Sequence, residues 1–247
     1  MATRARAGGR GKGGSRAAEF KEVDRLLDGP VTKASTKKIV SLLADRLKDD
    51  PGDLEALLRT ARAWTQLLES ETGTVLEERP EYQKALDEYG KAALEAADRA
   101  HELCPESPDA IGWHLVAYGY HSIAIGILRA FLTGAAGTYV RLANALIAAD
   151  PGWRSAAGHR AMGRYYREAP WPKRDVRKAI ECFRRALDLA PGRQENKLQL
   201  ALALIDNGDD EEARPLLHEV AEGKPEKTES HFHEALVSMA REKLKRM

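Results

Sequence analysis

A recurrence of 34 residues constrains this chain more than any other feature of its sequence. Ala179, Phe183, Ala186 and Pro191 return as Ala213, Leu217, Val220 and Pro225, so small and large positions keep their register through a second copy. A period of this length holds one pair of antiparallel helices, which cannot bury its apolar face alone and must stack on a neighbour. Ala179 and Ala213 have a packing role, because two such helices approach closely only where one presents a small residue to the other's bulky side chain. Upstream, Pro151, Pro105 and Pro51 end similar helices at spacings of 40, 46 and 54 residues. The repeats therefore degrade toward the N-terminus.

From residue 18 onward, apolar positions fall at three- and four-residue spacing with turn signals between them. They predict helices over about 18–27, 36–48, 53–70, 80–103, 108–131, 138–149, 153–168, 174–190, 193–206, 210–222 and 227–245. Ser107-Pro108-Asp109 reads as an N-cap, a first-turn proline and a dipole-matched acid, and Asn207-Gly208-Asp209 as a stop, a turn and a restart. The expected fold is all-α: stacked antiparallel helix pairs forming a tetratricopeptide-like superhelix over 18–247, clearest over 108–225, with a C-terminal capping helix at about 227–245. Insertions are expected at Pro170-Trp171-Pro172 and between Thr133 and Thr138. Residues 1–17, basic and glycine-rich, are expected to form a disordered arm.

Composition narrows the function classes. The 39 lysines and arginines nearly balance 38 aspartates and glutamates, so no global field recruits nucleic acid or an anionic membrane, and recognition by charge must be local. Residues 110–128 carry no Asp, Glu, Lys or Arg and approach the length of a membrane span. His114, His121 and the following Arg129 favour a buried helix over insertion. Cys104 and Cys182 show no metal or redox spacing and are expected to be buried thiols in a reducing compartment. With no secretory signal in view, a cytoplasmic location is expected.

No catalytic motif is present: there is no HExxH, GxSxG, phosphate loop or strand-associated GxGxxG. GGRGKGG in the arm lacks both the strand-loop-helix context and the GK[ST] ending that holds phosphates. No cofactor or metal is expected. His114, Tyr118 and His121 share one helical face, but no carboxylate on that helix completes a metal site. With Trp113 and Phe131 they are candidates for a ligand pocket, the alternative being ordinary core. Tyr120 is a further candidate of that kind, and His231 and His233 are expected to be solvated. On the helix 153–168, Arg160, Arg164 and Arg167 fall at i, i+4 and i+7 and define a candidate groove-facing stripe, continued by Gln194 and Lys197 on the next inner helix. Guanidinium groups grip carboxylates in a two-pronged fashion, so the expected partner is another protein presenting an acidic segment. The alternative is a solvated face with local ion pairs.

The stretch from about 108 to 225 also resembles a known family. Its WHLVAYGYHSIAIGILRAFLTG helix, the ADPGWRSAAGHRAMGRYY helix, the REAPWPKRD insert and the Asn196-Lys197 pair in KAIECFRRALDLAPGRQENKLQLALAL are similar to the T component of TRAP-type transporters. A more distant likeness is to regulators of microtubule dynamics. The first resemblance implies a helical-repeat protein that forms oligomers, has a hydrophobic channel or pocket and works beside a periplasmic solute-binding protein. Such proteins are exported, and the export signal is the point of departure here. Two functions follow as expectations: a non-enzymatic interaction module or scaffold working through its concave groove, or a small-ligand carrier with a cavity beside residues 110–131.

Overall fold

The computed structural model describes residues 20–74 and 79–247, and the arm expected over 1–17 lies outside them. The described residues form helices and turns with no strand. In chain order these are α1 (20–27), α2 (Lys33–Asp49), α3 (Leu54–Thr72), a 3₁₀ turn Pro80–Tyr82, α4 (Gln83–Ala85), a π-helical turn Leu86–Gly90, α5 (Lys91–Leu103), α6 (Pro108–Ala124) and α7 (Ile127–Leu132). Then follow α8 (Ala135–Ala149), α9 (Trp153–Glu168), α10 (Val176–Leu189), α11 (Gln194–Asn207), α12 (Asp210–Glu222), a 3₁₀ turn Lys227–Glu229 and α13 (His233–Arg246).

The helix starts have local causes. Ser107 Oγ accepts the Ala110 N–H with Pro108 in the first turn, Asp53 accepts from Ala56, and Thr32 with Ser35 completes a reciprocal capping box. These contacts satisfy N–H groups that have no partner inside their own helix. α11 stops at Gly208, whose φ of 86° closes the helix in the left-handed region. The helix expected over 108–131 is instead two: α6 ends at Ala124, the chain turns at Gly126 (φ 89°), and α7 restarts at Ile127. A second turn at Gly134 lets α8 begin at Ala135, three residues before its expected start. The expected cap begins at His233, after a short 3₁₀ turn.

Each helix packs on its neighbours in sequence, and a second set of contacts joins α3 to α6, α6 to α9, α9 to α11 and α11 to α13. That pattern defines two layers, with α3, α6, α9, α11 and α13 inside and α2, α5, α8, α10 and α12 outside. Leu57, Ile111, Leu115, Leu142, Leu146 and Met162 anchor the core of the first layers, and Phe183, Leu198, Leu204, Leu217 and Leu236 that of the last. No helix among the described residues is long and apolar enough to cross a membrane. Cys104 and Cys182 are free and half-buried rather than fully enclosed.

The stack also closes on itself. Lys227 Nζ reaches Asp28 Oδ2 at 2.9 Å, and His231 Nε2 lies 2.8 Å from Glu69 Oε2 at the end of α3. Between them Gly73, with φ 63°, leaves so little room that an added Cβ would lie 2.4 Å from the Ala235 Cβ. His231, expected in solvent, is therefore a buried closing contact with a side chain only 5% exposed. Its carboxylate partner comes from 162 residues away, which no local pattern reveals.

Candidate functional site

Closing the ring of inner helices leaves a cavity of about 130 Å³ on the concave side. Its apolar wall comes from Leu115, Val116 and Ile123 of α6, Phe131 of α7 and Tyr139 of α8. Phe131 stacks on Tyr165 with ring centres 5.6 Å apart. The break at Gly126 matters here, because it lets α7 turn Ile127, Ala130 and Phe131 toward the cavity. Burial pushes the Tyr139 hydroxyl up to about 12, so it stays protonated.

The opposite wall is charged, with Arg154, Arg160, Arg164 and Arg193 facing Glu69, Glu168 and Glu195. Three of the arginines are engaged. Arg160 Nε lies 3.3 Å from Glu195 Oε2, Arg164 Nε 3.1 Å from Glu168 Oε1, and Arg193 sits between Glu195 and the fully buried Glu229. Glu229 in turn accepts the N–H groups of Gln194 and Glu195 at the start of α11, where the helix dipole favours a negative charge.

The fourth arginine sits on an unusual piece of backbone. Arg154, Ser155 and Ala156 have φ of 42°, 58° and 67°, and left-handed conformation costs non-glycine residues about 1–2 kcal/mol each. Arg160 and Asn196 hold this turn. The Arg160 guanidinium donates to the carbonyls of Ser155 and Arg154 and to Asn196 Oδ1, while Asn196 Nδ2 donates to the carbonyls of Ser155, Ala186 and Ala190. Arg154 itself lies with its guanidinium carbon 4.4 Å from the Trp113 ring centre, and burial holds its pKa down to about 10. It borders both this cavity and a second one of about 510 Å³ between α1, α3 and the 227–231 segment.

The residues singled out in the sequence divide accordingly. Arg160 and Arg164 line the cavity, but both are internally paired, Arg160 buried and Arg164 half-buried, so they are not free cations. Arg167 pairs outside it with Asp206 at 3.0 Å, Lys197 with Glu219 at 2.7 Å, and Gln194 is buried under Gly223. The five therefore do not form one exposed basic stripe. Of the pocket candidates, Phe131 lines the first cavity and Trp113 the second, edge-on to Trp153. His114 meets Tyr118 edge-on and Tyr118 meets His121 at a tilt, with His114 Nε2 2.7 Å from Asp98 of α5. That face packs on helices and lines neither cavity. Tyr120 does line the first, donating its hydroxyl to Glu69 at 3.1 Å.

Arg154, Glu69, Arg193 and Glu195 are additions that the sequence pattern does not mark as a group. A faint local signal exists for two of them, since Arg154 and Arg193 each follow a Pro-Gly that opens an inner helix. Among the described residues no cluster of three or more metal-ligating side chains occurs. The buried charges set a pH dependence. Burial pushes the Glu195 carboxyl up, but Arg160 and Arg193 outweigh it and hold it at about 2, below its ordinary 4.5. A depressed carboxyl contributes stability above its unfolded value and loses it as pH falls through the folded one. Wild type is thus expected to lose thermal stability steeply between about pH 5 and pH 2.5. Glu195→Gln, less stable near neutrality, should show a visibly flatter profile in the same melts. Parallel profiles would exclude this source.

Against known proteins, a tetratricopeptide-repeat family model matches residues 173–237. No curated protein matches the chain in sequence. Among solved structures, a thermophilic tetratricopeptide-repeat protein of Thermus thermophilus superposes with a TM-score of 0.61 at 18% identity, over 90% of this chain and 98% of that one. MamA from Desulfovibrio magneticus RS-1, from its residue 41 onward, gives 0.53 at 15% identity over 86% and 94%. At these identities the likeness is one of fold. The chain has the tetratricopeptide-repeat fold, and its residues 173–237 match that repeat in sequence as well.

Proposed function

We propose that this chain is a non-enzymatic helical-repeat module that binds another protein beside the mouth of its concave cavity and so acts as an adaptor or scaffold. The observation that carries this is an apolar rim. Leu128 and Leu132 of α7 are 64% and 80% exposed, and Trp171, in the turn after α9, is 89% exposed. They sit on the segments that supply Ile127, Phe131 and Ala169 to the cavity. Large apolar side chains left in water on a repeat protein mark contact surface, and tryptophan is enriched among residues that dominate binding. Exposed Arg129 and Lys173 lie next to them in sequence and make no ion pair among the described residues. That chemistry favours a segment carrying apolar and acidic side chains together.

Leu132→Ser with Trp171→Ser should reduce the partner that co-purifies from the protein's own cells by at least about tenfold. The circular-dichroism melt should stay unchanged, because neither side chain is buried. Full recovery of the partner by the double variant would exclude this surface. A second reading, the small-ligand carrier implied by the likeness to the T component of TRAP-type transporters, is favoured by one observation: the cavity is bounded by apolar and aromatic side chains on one side and charged groups on the other. Native mass spectrometry of gently purified protein separates the two, a stoichiometric protein supporting the first and a retained small-molecule mass the second.

A further inference from the structure

We infer that the ring of inner helices opens at one seam, between α3 and the 227–235 segment, and that the buried Glu69–His231 pair is the latch that holds it shut. The inference goes beyond the docking surface at α7 and stands whether or not that surface takes a partner. The contacts described across the seam are polar or small. Lys227 meets Asp28 with both side chains exposed, and an exposed ion pair contributes little. Gly73 meets the Ala235 methyl group, with no larger side chain to interlock. His231 meets Glu69 with both side chains almost wholly buried, so of the three contacts it is the one sealed from water.

Elsewhere the layers are locked by hydrocarbon. One apolar cluster runs from Leu57 of α3 through α5, α6 and α8 to Met162 of α9, a second from Phe183 of α10 to Leu236 of α13, and Tyr166 packs against both. At the seam that continuity stops. The cluster holding Phe232 and Leu236 includes no residue of α1, α2 or α3, and the clusters holding Val23, Leu57 and Leu68 include none after α10. Each side is nevertheless firmly built. Glu229 accepts the first N–H groups of α11 and pairs with Arg193, which ties it to the last layers, while Arg62 of α3 holds Asp28 to the first. The weak line therefore falls between the two.

A buried ion pair is a poor source of net stability, and its best-attested use is to discriminate between states. In the closed ring the Glu69 carboxylate depends on His231, on the Tyr120 hydroxyl and on the charge of Arg154, against the repulsion of Glu195. In an open ring water takes their place, so loss of His231 penalises the closed form and spares the open one. The latch also stands between the two cavities. Glu69 borders the first, and His231, Lys227 and Asp28 border the second. Opening the seam joins them into one groove and so governs access to the concave side.

The test measures the distance across the seam in the full chain by pulsed electron double resonance. Spin labels are placed by Lys37→Cys on α2 and Ser238→Cys on α13, both exposed positions, with Cys104→Ala and Cys182→Ala removing the native thiols. This parent should show one short distance, with at most about a tenth of the molecules at a longer one. His231→Ala should move more than about half of them to the longer distance, while far-ultraviolet circular dichroism keeps the parent's helix content. Adding Glu69→Gln to His231→Ala removes the stranded charge and should return most molecules to the short distance, whereas a mere loss of packing would deepen with the second change. An unchanged distance in His231→Ala, or a double variant more open than the single one, would overturn the inference. So would a parent that is already open, or loss of helix throughout the chain in His231→Ala, because the break would then not be confined to the seam.

Discussion

Replacing Arg160 by Leu is expected to destabilise the protein by about 3–5 kcal/mol, the range for breaking a buried ion pair by deleting one partner. On an exposed recognition stripe the same change would cost almost nothing and would register only in binding. The difference follows from where the guanidinium sits. It is 8% exposed, pairs with Glu195, and hydrogen-bonds the Arg154 and Ser155 carbonyls and Asn196. Without it, Glu195 keeps only Arg193 and the left-handed turn loses two of its donors. Arg160→Lys should fall between, because an ammonium restores the charge but not the planar fork that reaches several acceptors together. Denaturant melts at neutral pH give the measurement: the midpoint should drop with little change in slope. A loss under about 1 kcal/mol would show that the residue behaves as a surface cation.

That outcome also bears on what the sequence makes legible. Helical periodicity and the repeat of Ala179, Phe183 and Ala186 as Ala213, Leu217 and Val220 are carried by neighbours within one or two helices, so the fold class can be read directly. The i, i+4, i+7 spacing on α9 takes in Arg160 and Arg164, which border the cavity, and Arg167, which pairs outside it with Asp206. What it cannot supply is the partner across the space: Glu195 and Asn196 come from α11, and a groove-facing arginine looks the same on paper whether it meets solvent or a buried carboxylate. His231 is the sharper case. Its neighbours Ser230 and Glu234 are exposed and suggest surface, whereas Glu69 and Phe232 enclose it only because the stack closes into a ring. Residues 110–128 show the complementary difficulty. Their apolarity signals burial, but it does not reveal that Gly126 would turn the chain and direct Phe131 into a cavity.

Gly163 offers a test of how the repeats share volume. An added Cβ there would sit 2.5 Å from Phe183 Cε1 and 2.7 Å from Cδ1 and Cζ, and Phe183 is completely buried. Gly163→Ala gains up to about 1 kcal/mol of helix propensity, but the ring has nowhere to move without displacing its neighbours. Overpacking costs about 1–3 kcal/mol. Bulkier Gly163→Val is expected to lie at or beyond the upper end of that range, because its branched side chain cannot turn away within a helix. The next repeat solves the same packing problem differently. At the 40-residue offset between Pro151 and Pro191, Gly163 corresponds to Ala203, and at the 34-residue offset Phe183 corresponds to Leu217. Ala203 and Leu217 lie in one core, both fully buried. Where one layer sets a glycine against a phenylalanine, the next thus has an alanine and a leucine at the corresponding positions of its core. Gly163→Ala combined with Phe183→Leu should accordingly be more stable than the sum of the two single losses, with a favourable coupling of about 1 kcal/mol or more in a double-mutant cycle. Simple additivity would mean that the two layers pack by independent rules, and the small-against-large register that defines the repeat would not extend from α11 and α12 to α9 and α10.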